Sequence, residues 1–468
     1  MEEKSIDVVV IGAGPGGYTA AFRAADLGKK VICVDAQPQP GGICLNHGCI
    51  PSKALLHLAK VINEAGDAAE FGVKFTKPKI NKKTVKEWKE KVINNQAKGI
   101  LNLAKRRKVE MISGRGVFED SNTLRVDGEN SFIIKFDKAV LATGSRSIIV
   151  PGLDIDSPHL WYSTEALQIT DIPEKMLVVG GGYIGLELST VYSAFGTKVT
   201  VVELADSILP GVDSDLVRPL QKRLDKILDT LLLKSKVTKL EKVNEGLKVT
   251  IEGETNKSAV YNKVLVAVGR KPNVTGNGLD NTSVKLDDKG FVEVDDQQRT
   301  SDPNIFAIGD VVGNPMLAHK ASYEAKIAAE VIAGHNVSND ALTIPAVVFT
   351  DPEIAWCGIT ETGAKEKNIP VKIGKFPWAA SGRAATLGRS DGITKVIADP
   401  DTGRLLGIGI CGSGAGELIG EATLAVEMGA TVQDLDLTIH AHPTLTETTA
   451  EASAVYLESA IHYYTGKK

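Results

Sequence analysis

The chemistry of this chain is most visible at GGICLNHGCIPSK, where Cys44 and Cys49 stand with four residues between them. Two thiols this close suit redox exchange or metal binding, and two buried small side chains are the plain alternative. On a regular helix their Cα atoms would lie roughly 8.5 Å apart, whereas a disulfide needs about 4.4–6.8 Å. Either the pair is unbridged, or the segment is a turn feeding a helix. Gly41, Gly42 and Gly48 permit such a turn, and Pro51 suits a first helical turn. A cysteine at a helix start feels the helix dipole, which favours the thiolate. Lys53, four residues past Cys49, adds positive charge. Zinc would need further ligands at suitable spacing and no set stands nearby, so no metal is expected. Cys33, Cys357 and Cys411 read as core.

A second cluster is HAHPTLTE, with His440, His442 and Glu447. A carboxylate fixes one imidazole nitrogen and leaves the other to take a proton. Histidines in a proline loop are commonly structural. A redox dithiol, however, needs a base to ionise its substrate thiol, and that favours the chemical reading.

The elements that must position these groups announce themselves as an internal repeat. IDVVVIGAGPGGYTAAFRAADLGKKVICVD aligns without gaps to EKMLVVGGGYIGLELSTVYSAFGTKVTVVE. Gly12, Gly14 and Gly17 fall on Gly180, Gly182 and Gly185, and Asp35 falls on Glu203. Each copy reads as apolar strand, glycine turn, helix and β-branched strand ending in a carboxylate, the dinucleotide-binding βαβ unit. The glycines let backbone approach a pyrophosphate at a helix N-terminus, and the carboxylate receives ribose hydroxyls. ELADSILP, beginning at Glu203, holds no Lys or Arg to meet a 2′-phosphate, so NAD is favoured over NADP. Spacing alone does not say which copy takes a flavin.

Further along, DKAVLATGS, NKVLVAVGRKPN and TSDPNIFAIGD are apolar strands, the last closing on Asp310. A helix is expected from Lys320 to Ile332, and from about Pro345 a separate α+β unit. The stretch from Asn63 to Lys108 reads as helices with a solvated charged face and is assigned no function. With 468 residues the chain exceeds one ordinary core, so two to four domains are expected. Its net charge of −4 is spread over both signs with no basic stripe, and no nucleic-acid partner is expected. No apolar run is long enough to span a membrane, and the acidic N-terminus resembles neither signal nor transit peptide. With only five cysteines and an initiating Met, a bacterial cytoplasmic setting is expected.

Together, the cysteine motif, both glycine fingerprints, ATG, AIGD and HAHPTLTE resemble the pyridine nucleotide–disulfide oxidoreductases over essentially the whole chain. Within that family the chain is most similar to members that oxidise protein-bound dihydrolipoyl groups to lipoyl disulfide with NAD. The resemblance implies an α/β fold with two Rossmann-like FAD- and NAD-binding domains plus a C-terminal α+β dimerisation domain. The implied division is FAD-binding at 1–146, NAD-binding at 147–275, FAD-binding again at 276–345 and dimerisation at 346–468. FAD would lie on Gly12, Gly14, Gly17, Asp35, Lys53, Gly116, Thr143, Gly144, Asp310 and Ala318. NAD would lie on Gly180, Gly182, Gly185 and Glu203, Lys53 and Glu187 would pair beside the flavin, and Gly269 would be a further cofactor-binding residue. His442 and Glu447 would reach the opposite subunit's dithiol in a homodimer, and His442–Pro443 would be cis. Cys44 would exchange with substrate while Cys49 faces the flavin. The implied partners are the lipoyl domains and core acyltransferase of 2-oxoacid dehydrogenase complexes, or the lipoyl protein of glycine cleavage.

This sequence departs from the family pattern at Ile43, His47, Asp35, Thr446 and the pair Ser189 and Thr190, none of which removes a reacting group. His47, between the cysteines, is a candidate for tuning their acidity. Mercuric reductases would add a cysteine pair near the C-terminus, and here none follows Cys411. Reductases of the glutathione type would carry basic residues beyond Glu203, which are missing. Oxidases and transhydrogenases of this fold lack one or both redox cysteines. A non-catalytic scaffold or redox sensor is the rival from another class, and the intact set of Cys44, Cys49, His442 and Glu447 argues against it.

Overall fold

The computed structural model describes residues 2–128, 131–254 and 256–464. Five sheets form among the described residues, and the three largest organise the fold. Strand β1 (Glu2–Ile11), helix α1 (Pro15–Asp26) and strand β2 (Val31–Asp35) form the first βαβ unit, and β1 is fully buried from Val8 to Ile11. A continuous apolar run suits a strand covered on both faces. Helices α2 (Gly42–His47), α3 (Cys49–Asp67) and α4 (Lys82–Arg106) follow, then strands β3 (Glu110–Ser113), β4 (Arg115–Asp120), β5 (Thr123–Asp127) and β6 (Phe132–Leu141). The sheet order is β3-β2-β1-β6-β5-β4. The start of β6 pairs antiparallel with β5 while its end pairs parallel with Ile305–Ala307. The chain thus leaves this sheet after β6 and returns to it much later, which brings Asp310 back beside the first glycine turn.

In between lies a second parallel sheet, with Lys175–Val179 flanked by Lys198–Val202 and Lys263–Val266. An antiparallel meander of Lys236–Val243, Gly246–Glu252 and Lys257–Tyr261 stands beside it. From Ala346 an antiparallel five-stranded sheet carries the helices Ala415–Glu427 and Glu447–Tyr456. The expected α/β architecture with a C-terminal α+β unit is therefore present. The helix expected from Lys320 starts at Ala318, and no helix is long and apolar enough to cross a membrane among the described residues. Cys33, Cys357 and Cys411 are buried, as expected of core residues.

One buried ion network ties the second unit to the C-terminal one. Lys395 is fully buried, and its Nζ lies 2.6 Å from Asp213 and 2.8 Å from Asp215. Asp213 also accepts from the backbone N–H groups of Glu361 and Thr362, so it caps the helix Glu361–Glu366 across the junction. Burial opposes ionisation of Asp213, but Lys395 and these N–H groups hold it below the usual carboxylate range. Removing one member of such a pair strands buried charge, which costs about 3–5 kcal/mol. Lys395→Met should lower the thermal unfolding temperature clearly. Lys375→Met removes a half-exposed partner of Asp215 and should cost about 1 kcal/mol or less. Because both carboxylates are held low, the network stabilises fully at neutral pH and weakens as pH falls through the carboxylate range. Equal unfolding temperatures for Lys395→Met and the parent chain would show that the network does not clamp the units.

Candidate active site

Between β1 and α1 the chain reverses within three residues. Gly12 sits at φ +102°, and a Cβ there would stand 2.3 Å from the Ala142 carbonyl oxygen, so only glycine fits. Gly17 packs from α1 directly onto the Gly12 carbonyl. The N-terminus of α1 has no side-chain cap and no acid in its first turn, which leaves free N–H groups for a phosphate. The second copy repeats this at Gly180 and Gly185, and the helix Tyr183–Ala194 after Gly182 is equally uncapped and acid-free. The two carboxylates also match. Asp35 accepts from Ala13 N–H (2.5 Å) and Gln37 N–H (2.7 Å), and Glu203 accepts from Gly181 N–H (2.6 Å) and Ala205 N–H (2.8 Å). Each carboxylate is thus anchored on its own turn and keeps lone pairs for a ribose.

A cavity of about 670 Å³ opens over the first turn. Gly12, Gly14 and Asp35 line it, and so do Cys44, Cys49, Lys53 and Glu187. Gly116, Thr143, Gly144, Asp310 and Ala318 line the same cavity. Gly180, Gly182, Gly185, Glu203 and Gly269 lie outside it in the second unit. One cleft that brings together a carboxylate, an open helix N-terminus and a dithiol fits a flavin dinucleotide. The second turn, closed by Glu203 at the head of ELADSILP, which holds no Lys or Arg, fits NAD.

At the dithiol the structure differs from a simple turn feeding a helix. Cys44 lies in the short helix α2, the chain breaks at Gly48, and Cys49 opens α3. A Cβ at Gly48 would approach the Ile43 carbonyl oxygen to 2.9 Å, so the break depends on glycine. Both cysteines are free, and their thiols are hydrogen-bonded to each other. Their acidities diverge. The hydrogen bond from Cys44, aided by Lys53, brings Cys49 down to about 7 against burial and the Glu187 charge. The same bond, with burial, pushes Cys44 up. Cys49 is therefore the residue that ionises first, and its thiol is open to the cavity. His47 lines the same cavity as the two cysteines.

Lys53 is held by Glu187, with Nζ 2.9 Å and 3.1 Å from its two oxygens. Phe349, from the C-terminal unit, completes this pair: its N–H donates to Glu187 (3.1 Å) and its ring centroid lies 4.3 Å from Lys53 Nζ. A ring face attracts an ammonium and keeps water from it. Phe349→Leu should admit water, weaken the support Lys53 gives the thiolate, and raise the pH midpoint of Cys49 alkylation by about half a unit. Phe349→Tyr should leave the midpoint in place; an unmoved midpoint in Phe349→Leu would remove Phe349 from the account. Sequence reading passed over this residue because only the fold brings it to Lys53.

Two more residues escaped the sequence. Ser145 donates to Asp310 (2.5 Å) and receives Arg270 Nε (2.8 Å), so Asp310 is fixed by a relay across both units. Ser189 and Thr190 prove to bond back to the Gly185 and Leu186 carbonyls within their helix, which accounts for their tolerance there. Of the two loop histidines, His440 is spent, with its ring between Glu421 (2.7 Å) and the Thr438 carbonyl (2.9 Å). His442 has Nδ1 2.9 Å from Glu447 and its side chain is 79% exposed, so its other nitrogen is free. Burial opposes ionisation of Glu447, yet Thr444 N–H and His442 hold it below the usual range. His442–Pro443 is cis. Neither His442 nor Glu447 lines the cavity of its own chain.

Two nucleotide turns, a thiol pair sharing a cavity with the first of them and a separate C-terminal unit define a dithiol oxidoreductase. Residues 6–325 match the family described as pyridine nucleotide-disulphide oxidoreductase, and residues 344–453 match its dimerisation domain. The chain belongs to that family, whose cofactors are FAD and NAD. It is 47% identical over 459 residues to dihydrolipoyl dehydrogenase of Vibrio cholerae serotype O1, covering 97% of this chain and 96% of that one. Its identity to dihydrolipoyl dehydrogenase of Geobacillus stearothermophilus is 45%, with 98% of each chain covered. Among solved structures it superposes on LpdA from Mycobacterium tuberculosis with a TM-score of 0.88 at 26% identity, covering 96% of this chain and 99% of that one.

Proposed function

We propose that this chain is an NAD-linked dihydrolipoyl dehydrogenase acting through Cys44 and Cys49. The observation that carries the reading is the divided thiol pair, with Cys49 acidic and Cys44 not, in the wall of a nucleotide cleft and beside the Lys53–Glu187 pair. Near-full-length similarity to dihydrolipoyl dehydrogenases supports the substrate.

In the proposed reaction the enzyme begins with a Cys44–Cys49 disulfide. His442, oriented by Glu447, takes a proton from one thiol of a dihydrolipoyl group, and the resulting thiolate attacks Cys44 Sγ. Cys49 leaves as a thiolate, which its lowered pKa and Lys53 favour. The second substrate thiol then displaces Cys44, closing the lipoyl disulfide and leaving the dithiol seen here. Bound FAD would supply the two-electron link from this dithiol to NAD. Gly12, Gly14, Asp35 and Asp310 would hold FAD, and Gly180, Gly182, Gly185 and Glu203 would hold NAD.

Because His442 and Glu447 lie outside their own chain's cavity, we assign each pair to the partner's dithiol in a homodimer. The reading further places the protein in the cytoplasm, serving the lipoyl groups of 2-oxoacid dehydrogenase complexes or of glycine cleavage. The flavin-loaded protein should form NADH from dihydrolipoamide and NAD, with NADP a poor substitute because the stretch ELADSILP that begins at Glu203 holds no Lys or Arg. Preference for NADP would overturn the assignment of the second turn.

A further inference from the structure

The net charge of −4 conceals an asymmetry that the evenly mixed surface expected from composition does not allow for. Between Lys74 and Lys108 the chain carries thirteen Lys and Arg residues against two Glu. Most of this charge is on α4. The helix buries Ile93, Ala97 and Ala104 on one face, and Ile93 and Ala97 pack against Leu45 of the dithiol helix α2. Lys83, Lys91, Lys98 and Lys105 recur every seven or eight residues, so they share a single exposed face along roughly 33 Å of helix. Lys89 is turned inward to the Leu167 carbonyl and Lys82 is paired with Asp171, but Lys91, Lys98 and Lys105 are not ion-paired among the described residues. Lys83 has only a 3.9 Å contact with Glu87.

We propose that this ridge docks the acidic surface of the protein domain that carries the dihydrolipoyl arm. The inference rests on the proposed function, which requires a thiol borne on another protein to reach Cys44. A basic ridge on the helix that packs against α2 raises the encounter rate of an acidic carrier and places it about one helix diameter from the dithiol helix. A nucleic acid would gain nothing from that placement.

The test compares two substrates at two ionic strengths: free dihydrolipoamide, and an acidic dihydrolipoylated domain from a 2-oxoacid dehydrogenase acyltransferase. The holoenzyme carrying Lys83→Glu, Lys91→Glu, Lys98→Glu and Lys105→Glu should lose roughly tenfold or more in kcat/KM for the carrier domain, and most of its salt dependence. Turnover of free dihydrolipoamide should be unchanged. A control with Lys222→Glu, Lys226→Glu, Lys242→Glu and Lys257→Glu makes the same change of charge elsewhere and should leave both substrates unaffected. Equal loss on both substrates, or no loss on the carrier, overturns the proposal. So does salt-sensitive loss of duplex DNA binding with carrier turnover intact. Absence of turnover with free dihydrolipoamide in the parent enzyme would instead overturn the functional reading beneath it.

Discussion

Cys44→Ser should abolish dihydrolipoamide-dependent NADH formation, by roughly three orders of magnitude or more, while leaving flavin content unchanged. The substitution removes the sulfur that must form the mixed disulfide and leaves Cys49 without a bridging partner, and no cysteine outside the pair can replace it: Cys33, Cys357 and Cys411 are all buried. Serine is close to isosteric, so the α2 helix and the Gly48 break should persist. The variant also separates the two thiols. A serine hydroxyl can still donate to Cys49 and Lys53 stays in place, so Cys49 should remain alkylable. Flavin loss in step with activity would mean that Cys44 supports the cleft and not the reaction.

The second large effect is expected at His442. His442→Gln should slow lipoamide turnover by about 10²–10⁴-fold, the range a positioned general base contributes. Glutamine can still accept or donate a hydrogen bond to Glu447, so the loop should hold. Because the pair is proposed to act across a homodimer, mixing is informative. A heterodimer of Cys44→Ser and His442→Gln chains has one site with both lesions and one intact site. Such mixtures should regain activity that neither parent has. If mixing restores nothing while heterodimers form, the pair serves its own chain or none.

The parts of the site legible in the sequence were those built from short spacings. The glycine turns, the acid that closes each βαβ unit, the cysteine pair and the His442–Glu447 pair each lie within one local segment, so spacing alone suggested their geometry. What stayed hidden depends on contacts between distant segments. Phe349 reaches Lys53 only because the C-terminal unit packs there, and Ser145 reaches Asp310 only because the chain returns to β6. Lys395 reads as an ordinary strand lysine until Asp213 and Asp215 are placed beside it. The helix break at Gly48 was missed for another reason. The glycines signalled a turn, but the close approach to the Ile43 carbonyl that demands glycine exists only in three dimensions. The basic face of α4 was lost by averaging charge over the whole chain.

The central claim is that Cys44 and Cys49 themselves carry the electrons from substrate. It is tested most directly in a single turnover without NAD. Oxidised, flavin-loaded enzyme mixed anaerobically with one equivalent of dihydrolipoamide, then alkylated and mapped by mass spectrometry, should yield lipoamide, with new alkylation confined to Cys44 and Cys49. Lipoamide formed with neither cysteine newly reactive, or no lipoamide from fully flavinated enzyme, would contradict the account.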